Sequence, residues 1–103
     1  MKMDQLYQRV KQGLNKNELV LDVRDADEYA EGHVQGSRNI PHDVVAEHAG
    51  ELKGYEKIYV HCGGGGRAGR AVEALEKAGL GNLVHIAESG MRSWVQAGWP
   101  TEK

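Results

Sequence analysis

The chain has 103 residues, of which 27% are charged, and a formal net charge of −2. That length holds a single domain (1–103) around one core, and the charge balance offers no electrostatic basis for a nucleic-acid or membrane-surface partner. Nothing approaches the ~18 consecutive apolar residues of a transmembrane helix, and Met1-Lys2-Met3-Asp4-Gln5 lacks the apolar core of a signal peptide. One cysteine, Cys62, allows no internal disulfide or thiol-relay pair and fits a reducing, cytoplasmic setting.

Asp4 is positioned to cap a first helix whose apolar face is Leu6, Tyr7, Val10 and Leu14, with Gly13 as its stop. Leu19-Val20-Leu21-Asp22-Val23 then reads as a strand buried on both faces. Asp25 and Glu28 have capping-box spacing for a short helix that ends by Gly32. Residues 32–41 are turn-rich, with a very short strand near residues 38–40. Val44, Val45, His48, Ala49 and Leu52 predict another helix, with Asp43 near its start.

Lys57-Ile58-Tyr59-Val60-His61 is a second buried strand and leads into Cys62-Gly63-Gly64-Gly65-Gly66-Arg67. Ala68, Ala71, Val72, Leu75 and Ala78 follow at helical spacing, and Gly79 or Gly81 ends that helix. Residues 82–87 form the last strand. Ser89 is placed to cap a closing helix in which Met91, Trp94, Val95 and Gly98 share a face, and Trp99-Pro100 ends it. Strands alternate with helices throughout, which predicts an α/β class with a mainly parallel sheet covered on both faces. In such sheets ligands bind outside the carboxyl ends of the strands, which is where Cys62 stands.

A cysteine at a strand's end, followed by glycines and a helix start, is a recognisable chemical arrangement. Glycines let N–H groups converge on one point, and the helix N-terminus adds partial positive charge. The thiolate is the reactive form of cysteine, and a helix N-terminus with a nearby Arg favours it. The expected site is therefore a Cys62 nucleophile under a cup of N–H donors from Gly63, Gly64, Gly65, Gly66 and Arg67. Four residues separate Cys62 from Arg67. Cysteine phosphatases space this pair one residue further apart to wrap a tetrahedral phosphate. The smaller cup here suits one extra sulfur atom, a cysteine persulfide. The glycines also leave the loop without side chains, so its mouth is expected to be open and nearly bare.

Other readings weigh less. Gly64, Gly66 and Gly69 fit a dinucleotide fingerprint with Glu88 as its acid, but only 15 residues follow Glu88, too few to complete such a fold. A Walker-type loop fails because no Lys-Ser or Lys-Thr follows the glycines. His61 adjoins Cys62, but neighbours in a strand point to opposite faces, which makes it structural. His33 reads as a hydrogen-bonding turn residue. His42, His48 and His85 are scattered without metal-ligand spacing. Asp22 and Arg24 end a strand on the same sheet edge as the loop, as a pair or as its brace.

In three separated places the chain resembles a single-domain rhodanese, a sulfurtransferase. The first is Leu21-Asp22-Val23-Arg24 through Glu28-Tyr29, Gly32-His33-Val34 and Gly36 to Asn39-Ile40-Pro41. The second is the loop from Cys62 to Arg67, and the third is Gly90-Met91 through Trp94 to Gly98-Trp99-Pro100. The resemblance implies a three-layer α/β domain with a four- or five-stranded sheet. The family's opening strand is vestigial or absent here, since only Met1-Lys2-Met3 precede Asp4. The resemblance also implies that Cys62 takes the outer sulfur of a donor such as thiosulfate, releases sulfite, and passes its persulfide sulfur to cyanide, a small thiol or a protein thiol. The loop N–H groups stabilise the persulfide and Arg67 offers charge to the donor's oxygens. No cofactor or metal is implied. A sulfur-carrier or docking module with little turnover of small donors is the alternative.

Overall fold

The computed structural model describes residues 1–87 and 89–103. Glu88, the acid of the dinucleotide fingerprint, lies outside them. In chain order the elements are α1 (Met3–Gln12), β1 (Glu18–Asp22), α2 (Ala26–Glu31), β2 (Arg38–Asn39), a 3-10 turn (Val45–His48) running into α3 (Ala49–Leu52), β3 (Lys57–His61), α4 (Gly66–Lys77), β4 (Leu83–His85) and α5 (Met91–Gln96). The strands form one four-stranded sheet in the order β2-β1-β3-β4. Every pairing is parallel, and Asp22 lies level with His61 where β1 and β3 end.

Side-chain alternation divides the core between the two faces of the sheet. Leu19, Leu21, Ile58, Val60 and Cys62 pack with Leu52 of α3 and with Ala68, Ala71 and Leu75 of α4. Val20 and Tyr59 pack on the other face with Met3 and Leu6 of α1 and Met91 and Trp94 of α5. Strands buried on both sides need the unbroken apolar runs read from the sequence. On the second face Tyr7 stacks on Trp99 at 4.4 Å, and Trp94 stands edge-on to both rings. Met1 borders β4: Ala87 N–H donates to its carbonyl at 3.1 Å, and its amino group donates to the His85 carbonyl at 3.3 Å.

Four local expectations change. The N-cap of α1 is Lys2, not Asp4, and the Gln5 side chain accepts from the Lys2 N–H at 2.9 Å. Asp4 instead lies in the first turn, where a carboxylate complements the helix dipole. Ser89 does not cap α5, whose N-cap is Gly90; its hydroxyl accepts from Met3 N–H and donates to the Ala87 carbonyl, joining α1 to the end of β4. The helix expected across residues 44–52 divides into a 3-10 turn and one α turn. Val95 leaves the buried stripe and is 61% exposed, because the short α5 presents only Met91 and Trp94 to the core.

Candidate active site

β3 ends at His61, and the chain turns through Cys62–Gly65 into α4. Gly65 is the N-cap of α4 with φ 114°, a left-handed conformation that side chains rarely take. The turn folds back over Cys62. Its Sγ accepts N–H bonds from Gly65 at 3.0 Å and Ala68 at 3.3 Å. These are the N–H donors on the sulfur among the described residues. Of the expected loop donors, Gly65 reaches the thiol sulfur itself, and Ala68, outside that set, joins it. Ala68 N–H is one of the unpaired donors of the first helical turn, and that helix start was the sequence signal for it. Cys62 itself is 1% exposed, under the exposed Gly64 and Gly66.

The loop is seated on α5. Met91 N–H donates to the Cys62 carbonyl at 2.7 Å, and Arg92 N–H donates to the Gly63 carbonyl at 3.2 Å. Gly90 allows this approach: a Cβ there would lie 2.2 Å from the Cys62 carbonyl oxygen and 2.6 Å from that of Gly63.

Arg67 pairs with α2. Its guanidinium forms a two-pronged ion pair with Glu28 at 2.5 and 3.1 Å, and Glu28 also accepts from the Asp25 N–H in the capping box at 3.1 Å. The Arg67 hydrogen bond, above all, brings the Glu28 carboxyl down to about 2. Glu28 was legible in the sequence as a cap but not as a partner of Arg67.

Asp22 and Arg24 pair with each other. The Arg24 guanidinium donates to both carboxylate oxygens at 2.8–3.0 Å, and its backbone N–H adds a bond at 3.0 Å. It also donates to the Gly32 carbonyl at 2.8 Å, and Asn39 holds the Asp22 and Arg24 carbonyls, each at 2.9 Å. Arg24 Cδ is 4.0 Å from where a Gly63 side chain would start, so the pair also borders the loop. His61 lies with Asp22 on the opposite face from Cys62, its Nε2 3.9 Å from Asp22 Oδ2. Its complete burial pushes it below the ordinary histidine range, and the Asp22 charge opposes this.

The mouth is not bare. A pocket of about 280 Å³ opens beside the loop, lined by Arg24, Glu28, Gly63, Arg67, Met91 and Arg92 among others. Two arginine side chains, from the loop's own end and from α5, stand against its glycines. Arg67 Nη2 is 3.2 Å from the Cβ position of Gly63, and the Arg92 guanidinium is 3.7–3.8 Å from that of Gly64. Among the described residues no group of three or more His, Cys, Asp and Glu side chains is placed to hold a metal ion. No helix among them is long and apolar enough to cross a membrane.

A family model of the rhodanese-like domain matches residues 3–97. The chain belongs to the rhodanese-like domain family. Among solved structures it is similar to a rhodanese-related protein from Thermoplasma volcanium, with 34% identity, a TM-score of 0.81 and coverage of 99% of this chain and 95% of that one. A rhodanese-like domain from Anabaena gives 30% identity and a TM-score of 0.82 over 99% of this chain and 76% of that one. Among relatives, the chain is 35% identical over 75 residues to a putative sulfur carrier protein, YrkF, of Bacillus subtilis, covering 73% of this chain and 40% of that protein. It is 30% identical over 97 residues to thiosulfate sulfurtransferase 16, chloroplastic, of Arabidopsis thaliana, covering 80% and 78%. This rhodanese-like chain spans 64% of the length of Bacillus subtilis YqhL, another relative.

Proposed function

We propose that this rhodanese-like protein is a sulfurtransferase that moves a sulfane sulfur from thiosulfate, or another persulfide-type donor, to cyanide or a thiol through a persulfide on Cys62. The observation that carries this reading is the Cys62 sulfur, fixed at the end of β3 under N–H groups of Gly65 and Ala68. Donors held at fixed positions stabilise negative charge on sulfur without having to reorganise during reaction. The thiolate attacks the outer sulfur of the donor. The donor's S–S bond breaks, and its electron pair leaves with sulfite. An acceptor nucleophile then takes the outer sulfur from Cys62 and returns the thiolate. Asp22 and Arg24 act as a brace beneath Gly63, and the Arg67–Glu28 pair joins α2 to the loop.

A second reading makes the chain a sulfur carrier that exchanges sulfur with a partner protein. The printed name of YrkF, a putative sulfur carrier protein, favours it, as does the burial of Cys62 at 1% exposure. Thiocyanate release from thiosulfate and cyanide separates the two. The enzyme reading expects turnover that Cys62→Ser abolishes. Loading of Cys62 by a protein persulfide with no turnover of thiosulfate would replace it with the carrier reading.

A further inference from the structure

Three arginines converge on the mouth of the Cys62 loop, and they differ in how they are neutralised. Arg24 is held by the buried Asp22 carboxylate at 2.8 Å. Arg67 is held by Glu28 through both of its terminal nitrogens. Arg92 has no carboxylate partner among the described residues. Two cations at the rim are therefore already committed to fixed anions, and the third is open.

Arg92 is also well placed. Its N–H donates to the Gly63 carbonyl at 3.2 Å, which ties its backbone to the loop. Its Cζ, Nη1 and Nη2 stand 3.7, 3.7 and 3.8 Å from the point where a Gly64 side chain would begin. The guanidinium thus lies in van der Waals reach of Gly64, and it lines the pocket of about 280 Å³ together with Gly63 and Arg67. A guanidinium is a planar fork of N–H donors that suits oxyanions held by two oxygens at once. Neither Arg24 nor Arg67 has that fork free.

We propose that Arg92 is the specificity-determining residue of the site: it binds the oxygens of a donor whose transferable sulfur is attached to a sulfonate-type oxyanion. This rests on the sulfurtransferase reading. During transfer the Cys62 thiolate bonds to the donor's outer sulfur, the S–S bond breaks, and the electron pair departs on sulfite. Arg92 holds the oxygens that belong first to the donor and then to the sulfite.

The test uses thiosulfate as probe on protein in which Cys62→Ser blocks the reaction. Calorimetric titration of that protein is compared with the Cys62→Ser/Arg92→Gln and Cys62→Ser/Arg92→Lys proteins. The expected result is about a tenfold weaker Kd with Gln, partial recovery with Lys, and loss of most of the salt dependence with Gln. Equal Kd values, or no thiosulfate binding to the Cys62→Ser protein, overturn the proposal. Kinetics on the otherwise native chain give a second readout. Arg92→Gln should raise the KM for thiosulfate about tenfold while kcat changes far less, and unchanged KM and kcat contradict the proposal. Failure of the sulfurtransferase reading is a different result: protein with Arg92 intact takes up no sulfur from any donor.

Discussion

Replacing Gly90 with alanine tests how the loop is held. Gly90 has φ −176°, extended backbone that any residue adopts, so the requirement for glycine is steric. The added Cβ would stand 2.2 Å from the Cys62 carbonyl oxygen, 2.6 Å from the Gly63 oxygen and 2.7 Å from the Gly63 carbonyl carbon. Ordinary carbon–oxygen contacts begin near 3.3 Å, so loop and helix must separate by about 1 Å. That movement disrupts the Met91–Cys62 and Arg92–Gly63 backbone bonds, each worth about 1 kcal/mol net. Overpacking adds about 1–3 kcal/mol, for a total of roughly 3–5 kcal/mol against a typical domain stability of about 5–15 kcal/mol. Gly90→Ala should therefore still fold, with a urea midpoint clearly lowered. A displacement of about 1 Å at a reacting group costs on the order of a hundredfold in rate, so persulfide formation in a single turnover should slow by about that factor. A variant with the native midpoint and the native rate would refute the seating of the loop on α5.

Asp22→Asn leaves the Arg24 guanidinium, whose side chain is 8% exposed, without its counter-charge; a stability loss of about 3–5 kcal/mol is expected in chemical denaturation, and a loss below about 1 kcal/mol would contradict the brace. Glu28 carries a carboxyl held down from 4.5 to about 2, so its stabilising effect is present above 4.5 and lost as pH falls toward 2. The pair is partly solvated and worth under about 1 kcal/mol. The difference in stability between the native chain and Glu28→Gln should accordingly shrink across that acid range. A difference that stays constant there would remove the ion pair as its source. Gly65→Ala puts a Cβ at φ 114°, at a cost of about 1–3 kcal/mol. It should also slow persulfide formation by disturbing an N–H donor to Cys62, and a native rate would separate that donor from the chemistry.

Much of this was legible locally. β1 and β3 are unbroken apolar runs because both of their faces are buried, and helix spacing marks α4 from Ala68 to Leu75. Cys62 and its glycine turn are adjacent in the chain, so their spacing could be read directly. What escaped the sequence lies between distant residues. Arg67 looks like a free cation until α2 brings Glu28 to it across 39 positions. Gly90 looks like a helix boundary until the Cys62 carbonyl is seen against it. Ser89 has the composition of a cap, but α1 and the end of β4 use its hydroxyl instead. Four glycines imply a bare mouth. The mouth is lined instead because Arg67 of α4 and Arg92 of α5 stand against Gly63 and Gly64, a placement that no local pattern encodes.

The central claim is that Cys62 carries sulfur, and the intact mass of the protein after brief exposure to thiosulfate tests it most directly. The expected result is a gain of one sulfur atom, removed by cyanide with release of an equal amount of thiocyanate and absent in Cys62→Ser. An unchanged mass with thiosulfate and with persulfide donors alike, or the same gain in Cys62→Ser, would contradict it.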